Sequence, residues 1–450
     1  MKKGKTKWDN LEIFEKAPVP QAVLKNALPA MAAMLMVLIY NLADTFFIGR
    51  TGDALQVAAV SLATPVFLLF MSVGTLFGIG GTSVISRALG EGRRDYAARV
   101  CSFCMWGSVS SGILMSALFL IFMDPILALI GASADTWEFA KTYLTIVTCA
   151  GTFSLISNCF SNVLRAEGQA NRAMLGQLLG NLLNIILDPA LILGLGLEIF
   201  GCALATFIGQ TFAALYYISF YVRKKSILGV SIRNFTVKGG VAKNTLAIGI
   251  PASLASILMS FSQIIINARM SGYGDMAVAA MGVAMKIVTI TGMVCMGLGQ
   301  GVQPLLGYCV GAGNWRRFRS CFCFSLASAL ALGIALTAVC YLFNGQLVGA
   351  FLTNPEAYSY AVTFSKILLI TGFFYGAFYV LLNALQAMGA AAASLIINVS
   401  RQGIIFIPML FILEAKLGAT GLVWAQPVSD LISLALAVIL FTSTIKKRVG

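Results

Sequence analysis

The sequence lacks histidine altogether and has few charged residues. Without histidine, neither a mixed Cys/His zinc site nor a metalloprotease motif of the HExxH type can form, and we therefore expect neither an enzyme nor a bound cofactor. Charged residues make up only 11% of the 450 residues, whereas soluble proteins average about 25%. This scarcity excludes a soluble enzyme, a nucleic-acid-binding domain and a disordered chain.

The chain is instead rich in apolar residues, which make up 59% of the sequence and give a mean hydropathy of +0.88. A soluble protein cannot cover so much apolar surface, so the excess faces lipid. Nothing shows the residue alternation of a membrane β-barrel. Each apolar run is long enough to cross roughly 30 Å of hydrocarbon as a helix. We therefore predict an all-α polytopic membrane protein with 12 transmembrane helices. The predicted helices lie near residues 25–48, 57–83, 100–122, 139–162, 173–196, 200–222, 245–270, 277–305, 320–343, 357–382, 391–413 and 419–444.

The basic residues predict the orientation of these helices. Most of the 31 lysines and arginines fall in the N-terminal segment, in alternate loops and in the C-terminal tail, and the net charge is +14. By the positive-inside rule this side, with both termini, is cytoplasmic in a cell inner membrane. The N-terminal segment, with Lys2, Lys3, Lys5 and Lys7, is interpreted as a cytoplasmic lead-in and not as a signal sequence. The opposite loops carry only Arg50, Lys141, Arg269 and Lys416.

The two halves of the sequence resemble each other at an offset of 222 residues, which changes to 221 further along the chain. We therefore predict an N-terminal lobe over residues 1–226 and a C-terminal lobe over residues 227–450. Six spans in each half give the repeats one orientation, related by a pseudo-twofold axis along the membrane normal. The repeated glycines are expected to permit close helix packing. The matched positions include Pro29 with Pro251, Gly80 with Gly301, and the segment 162–168 with 383–389.

Ionisable residues at membrane depth are costly and are functional candidates by default. In the first half, Asp44 and Asp188 fall at similar depth in the first and fifth spans. Asn184 precedes Asp188 by one turn, Asn41 precedes Asp44 by three residues, and Thr206 lies in the sixth span. Two neighbouring carboxylates with amide and hydroxyl oxygens can take up H+ or hold Na+. The alternative is that each aspartate makes a structural hydrogen bond to a neighbouring helix.

The second half lacks both acids, because Ile266 and Met409 occupy the equivalent positions. Cation coupling is therefore expected in the N-terminal lobe alone. The C-terminal lobe instead carries four charged residues at membrane depth, which we interpret as a buried ion-pair network that is either structural or gates the lobes. These residues are Lys286, Lys366, Arg401 and Asp430.

Four segments carry a resemblance to a known family. They are YNLADTFFIG (40–49), VLRAEG (163–168), NIILDPALILG (184–194) and GLGQGVQPLLGY (297–308). Together with the duplication they resemble the multidrug and toxic compound extrusion (MATE) family, in its DinF-like, MepA-like branch. The resemblance implies two six-helix bundles and cation-coupled export of amphipathic, often cationic drugs. It also implies a cation site formed by Asp44, Asn184, Asp188 and Thr206.

The sequence thus predicts a multidrug antiporter driven by H+ or Na+, embedded in the lipid bilayer as a monomer. Nucleic acid is not an expected partner. A flippase for lipid-linked oligosaccharides or peptidoglycan precursors is the alternative within the same superfamily, although the acidic first lobe argues against it. Six further residues are candidates for substrate binding or gating: Asn162, Gln300, Gln303, Lys286, Arg401 and Asp430.

Overall fold

The computed structural model describes residues 11–50, 53–352 and 354–449. The basic residues Lys2, Lys3, Lys5 and Lys7 of the predicted lead-in lie outside the described residues. The described part of the chain is helical and contains no strand. The prediction of an all-α polytopic protein is therefore confirmed.

The helices follow the repeat of the sequence. The first half contains α1 (Glu12–Glu15), α2 (Val19–Gly49), α3 (Ala54–Gly90), α4 (Arg94–Ile121), α5 (Met123–Leu129), α6 (Trp137–Ala166), α7 (Ala170–Pro189) and α8 (Glu198–Val222). The second half contains α9 (Val241–Met270), α10 (Asp275–Gly311), α11 (Trp315–Leu342), α12 (Asn344–Gly349), α13 (Pro355–Leu369), α14 (Gly372–Ala387), α15 (Ala391–Val399), α16 (Phe406–Leu417) and α17 (Ala419–Val449).

Two pairs of equivalent helices in the two halves have equal lengths. Helices α3 and α10 each have 37 residues, and α4 and α11 each have 28. A short helix follows in both cases, α5 in the first half and α12 in the second. The duplication seen in the sequence therefore extends to the secondary structure.

Among the described residues, eleven helices are long and apolar enough to cross a membrane. The remaining predicted span, the tenth in the chain (357–382), is divided into α13 and α14, which are bent by 43°. Two other spans contain a π-helical turn, at Ala190–Gly194 after α7 and at Ser400–Ile404 between α15 and α16. Such turns widen a helix locally and often occur at functional sites.

The contacts divide the chain into two compact units. The first consists of the residues up to Ala17 together with Ala32–Ser253, and the second of Pro18–Met31 with Leu254–Gly450. Helix α2 is divided between the units after Met31, and α9 is divided after Ser253. Each unit therefore contains a piece of the other half of the chain.

Glycines let the helices approach closely within each unit. In the second unit, a Cβ atom on Gly297 would lie 2.8 Å from the Cα of Met31, and one on Gly301 would lie 2.6 Å from the carbonyl oxygen of Asn26. In the first unit, Gly80 packs in the same way against the backbone of Thr245. Larger side chains at these positions would push the backbones apart.

Candidate cation-binding site

The first unit brings two buried carboxylates together with a thiol. Asp44 lies near the end of α2, Asp188 is the last residue of α7 before Pro189, and Cys202 lies in the first turns of α8. One ligand atom from each of the three residues lies within 4.8 Å of the other two. Asp188 is 0% exposed and Asp44 is 9% exposed. The structure thus places the two predicted acids in one cluster.

The local backbone explains how Asp188 reaches this cluster. Proline has no N–H, so Pro189 leaves the carbonyl of Ile185 without its usual helical donor. The chain then continues as the π-helical turn Ala190–Gly194. A Cβ atom on Gly201 would lie 2.9 Å from the carbonyl carbon of Leu191, so the start of α8 packs directly on this turn. The close packing places Cys202 beside the acids.

Helices α7 and α8 also cross at two glycines. A Cβ atom on Gly180 would lie 2.8 Å from the carbonyl oxygen of Gly209, and one on Gly209 would lie 2.7 Å from that of Gly180. One turn beyond Gly180 along α7, the amide nitrogen of Asn184 donates a hydrogen bond to the hydroxyl of Thr206 at 3.3 Å. Asn184 precedes Asp188 by one turn, and Cys202 precedes Thr206 by one turn, so each helix presents two polar residues on one face.

Several oxygens of the cluster lack hydrogen-bond donors. The thiol of Cys202 donates to one oxygen of Asp44 at 3.2 Å. Both carboxylate oxygens of Asp188 and the side-chain oxygen of Asn184 are buried and have no hydrogen-bond partner among the described residues. Leaving such groups unpaired is costly. A proton or a cation with a preference for oxygen ligands would satisfy them.

The sequence did not indicate three of the residues at this site. Besides Cys202, they are Tyr40 and Tyr143, which are each 8% exposed and interact electrostatically with both acids. Tyr40 precedes Asp44 by four residues, so helical spacing was the available signal. Asn41, the neighbouring candidate, is exposed on α2.

The candidates Asn162, Gln300 and Gln303 lie on other helices. Asn162 is buried on α6, where its amide donates to the backbone and side-chain oxygens of Asn158 at 2.9 and 3.3 Å. Gln300 is half-buried on α10. Gln303 is buried on the same helix, and its side-chain nitrogen has no hydrogen-bond partner in the part of the chain that the structure describes.

In the second unit, Arg401 pairs with Asp430 at 2.7 Å. Gln426 and Thr371 donate to the same carboxylate at 2.9 and 3.3 Å. The guanidinium group also lies over three aromatic rings, with its central carbon 4.5 Å from the centroid of Phe378. Arg401 is thus held on all sides by polar and aromatic groups.

The two lysines expected in this network lie elsewhere. Lys286 and Lys366 are exposed, and their ammonium groups lie 5.7 Å from the ring centroids of Phe351 and Tyr341. The expectation of a buried network of three bases and one acid is corrected to a single buried ion pair. A long lysine side chain can extend its charge towards water from within a span, which explains the difference.

Comparison with known proteins gives matches along nearly the whole chain. The family model MatE matches twice, at residues 29–190 and 251–412. Multidrug export protein MepA of Staphylococcus aureus (strain MSSA476) is 32% identical over 442 residues, which cover 98% of this chain and 97% of the relative.

Two solved structures share the fold. A crystal structure of MATE in complex with MaL6 has a TM-score of 0.92 and 23% identity, covering 98% of this chain and 99% of that one. The outward-facing conformation of a multidrug resistance MATE family transporter of the MOP superfamily also has a TM-score of 0.92, with 22% identity and 99% of each chain covered.

Proposed function

Because this chain belongs to the MatE family, we propose that it is a multidrug efflux transporter that exchanges H+ or Na+ for amphipathic, often cationic compounds. The observation that carries the proposal is the pair of buried carboxylates, Asp44 and Asp188, in which neither oxygen of Asp188 has a donor among the described residues. Such a pair is expensive to maintain in a membrane protein unless it binds something.

The chemistry of the cluster suits a small cation. The carboxylate oxygens of the two acids approach to within 4.8 Å, and at an effective dielectric constant of about 20 two negative charges at that limit repel each other by about 3 kcal/mol. A single proton or Na+ relieves this repulsion. The side-chain oxygens of Asn184 and Thr206 add neutral ligands of the type that Na+ prefers. The cluster therefore alternates between a charged state and a neutralised state.

Coupling follows from competition for the same negative charge. A cationic compound is attracted to the first unit while Asp44 and Asp188 are ionised, and its affinity falls when H+ or Na+ neutralises them. One positive charge that moves inward across 100 mV releases about 2.3 kcal/mol. This energy supports more than a tenfold gradient of the exported compound if the exchange is one to one and electrogenic, as it is for an uncharged compound. For a monovalent cationic compound, one-to-one exchange moves no net charge, and the concentration gradient of the coupling cation supplies the energy instead.

The basic loops support an orientation in which both termini lie on the cytoplasmic side of a cell inner membrane. In that orientation the π-helical turn after Asp188 lies on the outer side of the membrane. Cations at higher electrochemical potential outside the cell then reach the acids first. The direction of exchange is therefore export.

The test is ethidium efflux from proteoliposomes under an imposed pH gradient or an imposed Na+ gradient. We expect efflux with one gradient and its loss in Asp188→Asn. Asp135→Asn, which removes an exposed acid of the same unit, is the matched control and should retain efflux. Equal reconstitution of all three proteins is verified by their recovery in the liposomes. Normal gradient-driven efflux by Asp188→Asn would refute the proposal.

A further inference from the structure

Apart from the candidate cation-binding site, the first unit contains a cleft at the beginning of α7 and the end of α8. Its volume is about 390 Å³. The cleft opens on the side of the unit that carries the basic segment after α8. Its lining residues are Arg172, Phe212, Leu215, Tyr216, Ser219, Phe220, Arg223 and Lys225.

Three cations form one rim of this cleft. Arg172 lies in the first turn of α7, Arg223 directly follows α8, and Lys225 is two residues further. No ion pair involves any of the three within the described ranges. The guanidinium group of Arg172 lies 4.9 Å from the ring centroid of Phe220, which orients it without neutralising it. The rim therefore keeps its positive charge.

The nearest acid in the sequence does not neutralise this rim. Glu167 directly follows α6 and is buried, and Tyr221 and Ser226 donate to its two carboxylate oxygens at 2.6 Å each. Both carboxylate oxygens of Glu167 are therefore already hydrogen-bonded to residues of the first unit. An external anion is therefore the available counter-charge for the rim.

The opposite end of the cleft is apolar and faces lipid. Phe212 and Leu215 are exposed large hydrophobic residues in the spanning part of α8. Arg223 lies eleven residues after Phe212, a distance of about 16 Å along the helix axis. A ligand that fills the cleft therefore needs an anionic group at one end and an apolar chain at the other.

We propose that this cleft binds an anionic phospholipid. The phosphate headgroup contacts Arg172, Arg223 and Lys225, and an acyl chain lies against Phe212 and Leu215. Basic pockets between transmembrane helices recognise acidic headgroups in this way. A cationic compound is repelled by the three bases, and a free phosphate ion would leave the apolar part of the cleft unfilled.

Another basic cleft shows why this one favours lipid. It lies around the α3–α4 turn and includes Arg93, Arg94 and Arg99. There, Arg93 already pairs with Glu91 at 3.1 Å, and Asp95 lines the same space. Its lining contains no aliphatic side chain beyond the arginine stems. Unpaired cations beside an exposed apolar wall distinguish the α7–α8 cleft.

The test measures lipid adducts of the detergent-purified protein by native mass spectrometry. Dioleoyl-phosphatidylglycerol and dioleoyl-phosphatidylcholine are added in equal amounts. We expect the phosphatidylglycerol adduct to dominate. The triple variant Arg172→Gln/Arg223→Gln/Lys225→Gln should bind phosphatidylglycerol about 100-fold more weakly, since each basic residue near a lipid surface contributes about a fivefold increase in affinity. Phosphatidylcholine binding should change little.

The matched control is Lys224→Gln/Lys238→Gln/Lys243→Gln, which removes three exposed cations from the same side of the unit. It should bind phosphatidylglycerol like the wild type. Arg223→Gln alone, expected to reduce binding about fivefold, keeps the test valid if the triple variant does not fold. Equal losses in the triple variant and the control, or no loss in either, would overturn the proposal.

A competition arm distinguishes lipid from soluble anions. Inorganic phosphate is added at millimolar concentration to the phosphatidylglycerol complex. We expect the lipid adduct to persist and to weaken in Leu215→Ser, because the acyl chain contributes to binding. Full displacement by inorganic phosphate, with no effect of Leu215→Ser, would assign the cleft to a soluble anion instead. This result does not depend on the export activity, so it tests the lipid site separately from the proposed function.

Discussion

We expect the buried acid Glu167 to make the stability of the protein depend on pH, and substitution of this residue to remove its contribution. The residue follows α6, outside the membrane-spanning segments, and is 2% exposed. Burial raises the pKa of Glu167 from 4.5 to about 7, although hydrogen bonds from Ser226, Tyr221 and the backbone of Ile227 oppose this rise. The thiol of Cys101 also lies near enough to interact with the carboxylate.

The sign of the effect follows from proton linkage. Below pH 4.5, the carboxyl group of Glu167 is protonated in both the folded and the unfolded state. The contribution of Glu167 to the stability of the folded state is then fully present. Between pH 4.5 and about 7 only the folded state holds the proton, so stability falls by up to about 1.4 kcal/mol per pH unit. The total loss is about 3 kcal/mol and is complete once the folded carboxyl ionises above pH 7.

The purified protein is unfolded in mixed detergent micelles by increasing the fraction of dodecyl sulfate. Tryptophan fluorescence monitors the unfolding at a series of pH values from 4.5 to 7.5. Wild type is compared with Glu167→Gln, which keeps a polar partner for Tyr221 and Ser226 but cannot ionise. The difference in unfolding free energy between the two proteins cancels the other titrating groups. We expect this difference to shift by about 3 kcal/mol against the wild type as the pH rises.

An exposed acid of the same unit provides the control. Glu138→Gln should follow the wild-type curve at every pH. A difference between wild type and Glu167→Gln that stays constant over the whole range, or that shifts in favour of the wild type as pH rises, would refute the reasoning about burial.

Two further predictions concern packing and the buried ion pair. Gly180→Leu should separate α7 from α8, break the Asn184–Thr206 hydrogen bond and abolish cation-driven efflux in proteoliposomes. Gly282→Leu should retain efflux because, apart from its neighbours along the helix, no atom of the described residues lies within 4 Å of a Cβ atom at that position. Equal activity of the two variants would contradict the close crossing. Asp430→Asn should destabilise the protein by about 3–5 kcal/mol because it leaves Arg401 buried without its counter-charge. Asp124→Asn, which breaks the exposed pair with Lys141, should change stability by less than about 1 kcal/mol in the same unfolding assay, and similar losses would contradict the difference in burial.

Much of the fold could be predicted from the sequence because lipid imposes helices on long apolar runs. The ends of the helices could not be predicted as well. Helix α3 continues to Gly90, although its apolar run ends earlier, near the polar residues Thr82 and Ser83. Backbone hydrogen bonds continue outside the hydrocarbon regardless of side-chain polarity, so hydropathy locates the span but not the end of the helix.

The bend between α13 and α14 had no signal in the apolar pattern, which predicted one span over 357–382. No proline lies at this break. Instead, the hydroxyl of Thr371 contacts the carbonyl oxygen of Leu368 at 3.4 Å and donates to Asp430 at 3.3 Å. A threonine hydroxyl that bonds to the preceding turn competes with helical backbone bonding. The residue at the bend is therefore hydrogen-bonded to Asp430 of α17, a helix far along the chain.

At the candidate site, the sequence identified the acids and the Asn184–Thr206 pair because polar residues are rare in apolar spans. It did not identify Cys202, since a cysteine in an apolar run is usually a small core residue. The choice of Asn41 over Tyr40 also depended on polarity alone. Which flank of α2 is buried depends on the helices packed against it, and helical spacing places both residues near Asp44.

The contrast between the two π-helical turns explains why the cation chemistry is assigned to one half of the protein. In the second unit, the turn holds Arg401, which forms an ion pair with Asp430 of α17 at 2.7 Å. In the first unit, Asp188 directly precedes the turn, and the structure offers its oxygens no donor in the described chain. A charge with a fixed partner stabilises one conformation, whereas a buried carboxylate without one is neutral only when a mobile cation occupies it. Under the proposed function, exchange of that cation changes the charge state of the first unit and leaves that of the second unit unchanged.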